Sequence, residues 1–210
     1  MKIIIFLCFI LLLKGDTMDF YKNIQKIKNM DDMLVLVNKN YILDENYIPN
    51  DLEEINHKYA KEGKLLRKTA KEHFEKLAEV ASQYGYYIKI VSAYRSYNYQ
   101  DNLYHYYVKD KGLIYADNCS ARPGHSEHQT GLSFDVEGSN HDYNLFEESK
   151  EFKWMSKNAH KFGFIMRYPK GKEHITGFKY EPWHYRYVGI KVATLLYKQN
   201  LTLEEYKKKS

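Results

Sequence analysis

The sequence is poor in cysteine. Only Cys8 and Cys119 occur among 210 residues. Cys8 sits inside an apolar run and not behind a small-residue cleavage site, so it does not read as a lipid-anchor cysteine. If the first residues are removed, Cys119 stands alone and no intramolecular disulfide can form. A secreted chain of that kind must fold on its core alone or be helped by a metal. A membrane-spanning run is lacking too. Ile3 to Leu13 is apolar without a break for eleven residues between Lys2 and Lys14, about half of what a helix needs to cross a bilayer. It reads as the core of a signal peptide, with an uncleaved N-terminal anchor as the alternative because no clean A-x-A-like site follows. An excess of one charge is also missing. Losing residues 1–15 takes away Lys2 and Lys14 and lowers the formal charge from +5 to +3. That permits weak attraction to an anionic surface, but with no basic stripe it excludes a nucleic-acid binder. Internal repeats, low-complexity tracts and Pro/Gly-rich linkers are absent, which leaves nothing to split the chain.

What is present is an ordinary soluble composition, 44% hydrophobic and 28% charged, in a chain long enough for one domain with a substantial core. Tyrosine alone is abundant, at 21 residues, and its amphipathic ring suits wet grooves as well as cores. Residues 1–15 form the targeting segment, 16–32 a polar segment (a short helix or tether), 33–200 the folded domain and 201–210 a charged tail ending in "KKKS". Within the domain, "MLVLVN" (Met33 to Asn38) predicts a buried strand, and Pro49 and Asn50 a turn. Leu66, Ala70, Phe74, Leu77, Ala81 and Tyr84 recur at steps of three and four, an amphipathic helix that Gly85 ends. "YYIKIVSAY" alternates like a strand, and "SYNYQDNLYHYYVKDKG" predicts a helix with Ser96 as N-cap and Gly112 as stop. A loop leads to the strand "LSFDVE", then to the helix "ESKEFKWMSKNAHKFG" ended by Gly163 and the strand "FIMRYP". A turn at Lys170 and Gly171, a further strand towards "EPWHYRYVG" and a C-terminal helix follow. Helices interleaved with short, hairpin-like strands argue an α+β domain.

Three segments concentrate the reactive side chains. In Ser126-x-His128-x-x-Gly131-x-Ser133-x-Asp135, Gly131 lets the chain turn sharply before the strand. His128 on the loop then faces Asp135, while Phe134 and Val136 point to the buried side. One imidazole and one carboxylate cannot close a metal site, and Glu181-Pro182-Trp183-His184 offers His184 as the third ligand. Two histidines, a carboxylate and an open position suit catalytic zinc, leaving Glu181 free to act on water. Residues three apart on a flat strand face opposite ways, so the backbone must bend there, and Pro182 is compatible with such a break. The third segment is Ser92-Ala93-Tyr94-Arg95-Ser96-x-x-x-Gln100. Arg95 can form a two-pronged bond to a carboxylate or steady an oxyanion, and Ser96 opens a helix N-terminus that favours anions. Each residue alone has a duller reading: a hydrogen-bonded structural histidine, a turn aspartate, a surface ion pair. His125 is a rival ligand, because H-x-x-H spacing places it near His128.

Taken in order, the segments resemble the zinc D,D-/L,D-carboxypeptidases of bacterial peptidoglycan, the D-alanyl-D-alanine carboxypeptidase group that includes the VanY type. The family pattern S-x-H-x-x-G-x-A-x-D, then E-x-W-H, with S-x-Y-R-S upstream, is similar to "SEHQTGLSFD", "EPWH" and "SAYRS" here, and the likeness spans roughly residues 33–190. The resemblance implies His128, Asp135 and His184 as Zn2+ ligands and Glu181 as catalytic base. Arg95, with Gln100 and Ser126, would contact the peptide and its terminal carboxylate. It implies a single α+β domain with a small central antiparallel sheet flanked by helices and the zinc site at the sheet. The implied partner is the peptidoglycan stem peptide, which loses its terminal D-Ala to water. The expectation is of a monomer, secreted or held at the cell surface, that binds no nucleic acid and meets a membrane only through an N-terminal anchor. Ser133 departs from the pattern's Ala, a change expected to tune the site and not abolish it. Two alternatives remain: an L,D-carboxypeptidase or endopeptidase sharing this chemistry, and a wall-binding or zinc-binding pseudoenzyme. Glu181 argues against the latter, since binding alone needs no general base.

Overall fold

Alternating short segments build the sheet on which the chemistry rests. The computed structural model describes residues 20–209. Its strands are β1 (Gln25–Lys26), β2 (Tyr41–Ile42), β3 (Leu52–Glu54), β4 (Leu65–Arg67), β5 (Lys89–Ser92), β6 (Ser133–Glu137), β7 (Phe164–Met166) and β8 (His184–Tyr187). Its helices are α1 (Lys68–Gln83), α2 (Tyr97–Lys111), α3 (Leu113–Cys119), α4 (Lys150–Asn158), α5 (Glu173–Thr176), α6 (Ile190–Gln199) and α7 (Leu203–Lys207). Strands β5, β6, β8 and β7 lie side by side in that order, every pair antiparallel. This is the α+β arrangement of helices about a small antiparallel sheet that the sequence led us to expect.

The pleat of β6 divides the molecule. Phe134 and Val136 are fully buried, with the Phe134 ring 4.7 Å from Phe74 and 5.1 Å from Phe164. Helix α1 answers with Ala70, Phe74, Leu77, Ala78 and Ala81, its buried stripe. Each such large side chain removed from water contributes about 2–3 kcal/mol. The caps follow the sequence: Ser96 Oγ accepts from the Tyr99 amide at 3.2 Å, and Gly112 and Gly163 end their segments at φ of 86° and 89°.

Several expectations are corrected. Met33 to Asn38 forms no strand: Arg186 Nη2 donates to the Met33 and Val35 carbonyls at 3.1 and 2.9 Å, so a guanidinium takes the place of a neighbouring strand. The segment still alternates, with Val35 and Val37 in the main core and Leu34 and Leu36 against a second cluster containing Leu196 and Leu203. No strand forms between Lys172 and Tyr180; helix α5 occupies Glu173–Thr176, and the next strand, β8, begins within "EPWHYRYVG" at His184. Within the expected charged tail 201–210, the described residues 201–209 include a short helix. Thr202 caps α7 through a reciprocal bond pair with Glu205, and Leu203 and Glu204 are buried. The folded unit also reaches back beyond residue 33, since Ile27 and Met30 pack on the core. The apolar run Ile3 to Leu13 lies outside the described residues. Among those described, no helix is long and apolar enough to cross a membrane.

Candidate active site

The sheet register assembles the site. Asp135 on β6 pairs with His184 on β8 and, across a register shift in β5, with Ser92. His128 arrives from a 3-10 turn, Glu127–Thr130, where its own amide donates to Ser126 Oγ. That turn closes on Gly131 at φ +64°, where an added Cβ would sit 2.8 Å from Leu52 and 3.4 Å from the Arg67 backbone nitrogen. Only glycine supplies both the left-handed turn and the room. The required bend before His184 is present: its amide donates to the Glu181 carbonyl at 3.3 Å, a tight turn through Pro182 that leaves Glu181 and His184 on one side.

One ligand atom each from His128, Asp135 and His184 lie within 4.8 Å of one another. His128 Nε2 is 3.3 Å from Asp135 Oδ2, and His184 Nδ1 is 2.9 Å from Asp135 Oδ1. His128 Nδ1 donates to the Ala93 carbonyl at 2.7 Å; a carbonyl can only accept, so the Nε2 lone pair turns inwards. That atom is buried with no hydrogen-bond partner. A cation answers such an orphaned lone pair, and two imidazoles with one carboxylate are a donor set suited to zinc. His125 is not among the three. Its Nδ1 lies 2.8 Å from the Asn38 carbonyl oxygen and its ring stands edge-on to Tyr21.

The charges explain the titration behaviour. Burial pushes His128 down to about 4, assisted by the Arg95 charge. Burial works to raise the Asp135 carboxyl, but His128 and His184 outweigh it and hold it well below the ordinary carboxylate range. For His184, the hydrogen bond with Asp135 and the nearby Glu127 carboxylate overcome burial and raise it to about 9. Burial lifts Glu181 to about 7 against the pull of His184, in the range where a carboxyl both takes and gives a proton. Its Oε2 lies 3.8 Å from His184 Nδ1.

These groups open into a groove of about 530 Å³. Arg95 lines it, with Nη2 3.8 Å from Asp135 Oδ2 and a buried Nε that makes no hydrogen bond. Gln100 is 1% exposed and gives its Nε2 to Ser120 Oγ and the Ala121 carbonyl, which leaves Oε1 without a partner. Ser126 lines the same wall. The sequence reading missed Glu127, buried 3.7 Å from His184 Nε2, and Tyr168, whose ring centroid is 4.9 Å from that of His184. A signal existed for Glu127: Arg186 stands between two tyrosines of β8 and Arg167 directly follows the apolar β7, and charges buried there need a carboxylate partner.

Comparison with known proteins agrees with the geometry. A family model described as VanY, D-alanyl-D-alanine carboxypeptidase, matches residues 63–190. The putative carboxypeptidase YodJ of Bacillus subtilis (strain 168) is 42% identical over 190 residues, 87% of this chain and 70% of that protein. The bifunctional D-Ala-D-Ala dipeptidase and D-Ala-D-Ala carboxypeptidase VanXYC of Enterococcus gallinarum is 36% identical over 178 residues, 82% of this chain and 92% of that one. Among solved structures, the LdcB LD-carboxypeptidase superposes with a TM-score of 0.84 at 41% identity, covering 89% of this chain and 91% of its own. A D,D-pentapeptidase VanY solved in complex with Zn(II) gives 0.72 at 34% identity, over 83% and 98%.

Proposed function

The chain belongs to the VanY family of D-alanyl-D-alanine carboxypeptidases, and from that premise we propose that it is a zinc hydrolase removing the terminal D-Ala of peptidoglycan stem peptides. The observation that carries this reading is the convergence of His128, Asp135 and His184, beside a carboxyl lifted to about 7 at Glu181. His128, Asp135 and His184 would hold the zinc. When bound, zinc supplies a Lewis acid that lowers the pKa of water and polarises a carbonyl. Glu181 takes a proton from the attacking water and delivers it to the leaving amine, so its carboxyl ends the cycle as it began. Arg95 faces the developing oxyanion and the substrate's terminal carboxylate with a planar fork of donors. Gln100 and Ser126 complete the wall along the peptide. The enzyme works as a monomer outside the cytoplasmic membrane, where its substrate lies.

D,D cleavage of the pentapeptide is the first reading. It is supported by the family match and by a VanY solved in complex with D-alanine-D-alanine, 35% identical over 84% of this chain. L,D cleavage of the tetrapeptide is the second, favoured by the higher TM-score to the LD-carboxypeptidase. Mass spectrometry of defined penta- and tetrapeptide stems separates them. Loss of one D-Ala from the pentapeptide alone is expected, loss from the tetrapeptide alone establishes the second reading, and internal cleavage or no cleavage overturns both.

A further inference from the structure

On the far side of His184 from Asp135 lies a cluster of buried charge that bond cleavage does not itself require. Glu127 Oε1 accepts from Arg167 Nε at 2.7 Å and Arg186 Nη1 at 2.8 Å. Its other oxygen accepts from Ser133 Oγ at 3.1 Å and lies 3.7 Å from His184 Nε2. The two remaining nitrogens of Arg167 fork onto Glu204, at 2.8 and 2.6 Å, and Asn38 Nδ2 donates to the same carboxylate at 3.2 Å. Arg167 and Arg186 are fully buried, Glu127 and Glu204 nearly so. Two positive and two negative charges balance, so none is stranded in the core. Glu204 on α7 and Asn38 near the start both lie outside residues 63–190, the stretch matched by the family model.

We propose that Glu204 is a positioning residue for the metal centre, which through Arg167 holds Glu127 against His184. The inference rests on the zinc reading above. A neutral imidazole that offers Nδ1 to a metal carries its proton on Nε2, which here is buried with no hydrogen-bond partner, and the Glu127 carboxylate 3.7 Å away favours that tautomer and strengthens the ring's donation through its charge. Glu127 can do so only while it is itself held in place. Arg167 fixes Glu127, but a guanidinium in the core keeps one direction only if its other nitrogens are satisfied, and Glu204 satisfies them. Ser133, the departure from the family's Ala, pins the same carboxylate on its second oxygen. The C-terminal helix is thereby part of the metal centre's support.

The test is zinc affinity by chelator competition on the full chain, for wild type, Glu204→Gln, Glu127→Gln and the double variant. Loss of a partner outside the ligand shell weakens metal binding about 10–100-fold. Glu127→Gln should fall in that range and Glu204→Gln near its lower end, about 10-fold. The double variant should bind no more weakly than Glu127→Gln alone, because Glu204 acts through Glu127. Leu77→Ala, a core truncation on α1 outside the network, should keep wild-type affinity despite lost stability. If a Gln variant does not fold, Glu204→Asp and Glu127→Asp, which keep the charge and shorten the arm, run the same cycle. Wild-type affinity in the Glu204 variant, full additivity in the double, or an equal loss in Leu77→Ala overturns the proposal. A wild-type protein that binds no zinc overturns the functional reading instead.

Discussion

Replacing Glu181 with Gln should make the zinc-free protein more stable and the enzyme nearly inert. The Glu181 side chain keeps 16% of its exposure, and burial raises its pKa from 4.5 to about 7. In the unfolded chain the same carboxyl titrates at its ordinary value. Between those two values the folded state therefore holds a proton that the unfolded state has lost, and stability falls as pH rises through the window. Above about 7 the whole penalty stands. A shift of that size corresponds to a ceiling of roughly 3 kcal/mol, and the residual solvent contact brings the expected value to about 1–3 kcal/mol. Gln has the same shape and no charge, so it removes the penalty.

The assay is urea denaturation of chelator-treated wild type and Glu181→Gln at pH 5, 6.5 and 8. The variant's advantage should be small at pH 5 and grow to about 1–3 kcal/mol at pH 8. With zinc restored, the variant should retain one ion per chain while turnover drops by ~10²–10⁴-fold, the usual worth of general-base assistance. A variant less stable than wild type at pH 8, or a gap that does not change with pH, refutes the burial argument. Near-normal turnover refutes the role as base, and loss of zinc means that Glu181 is a ligand.

The remaining predictions concern metal, substrate and place. His128→Ala should abolish stoichiometric zinc, whereas His125→Ala should keep zinc and lose only about 1 kcal/mol for its bond to the Asn38 carbonyl; metal analysis with the reverse outcome exchanges the two histidines. Arg95→Lys keeps the charge but loses the planar fork, so steady-state kinetics should give lower kcat/KM at unchanged zinc content. A loss of zinc there would place Arg95 in the ion's support. Cell fractionation should find the protein beyond the cytoplasmic membrane, and folded, active enzyme confined to the cytoplasm would refute the reading of Ile3 to Leu13.

How far the site could be read from the sequence depended on how local each cause is. Gly131, Ser96 and Gly112 act within a few residues of themselves, and the turns and caps they foretell are present. The alternation of "LSFDVE" is equally local, and it puts Phe134 inside and Asp135 on the groove. The failures arise where a distant side chain replaces the backbone's ordinary partner. Met33 to Asn38 has the composition of a strand, yet two of its carbonyls, of Met33 and Val35, are held by Arg186, some 150 residues away along the chain. The tail looked solvated because it ends in the run Lys207 to Lys209, yet Glu204 is drawn inward by Arg167. No window of sequence contains both members of either pair.

The same distinction bears on why this site is built on a sheet. Ser92, Asp135 and His184 form one row across β5, β6 and β8, so the separation of the last two is set by the ladder and not by loop conformation. A slip of one residue in β6 would turn Asp135 into the core and Phe134 into the groove, exposing a large ring and burying a carboxylate together. The hydrophobic pattern that holds the register is therefore also what holds the geometry of the proposed ligands. His128 lies outside the row, and it is tied in by the Gly131 turn, the Ser126 cap and the Ala93 carbonyl. A proposed ligand carried by a loop needs such ties because no register constrains it.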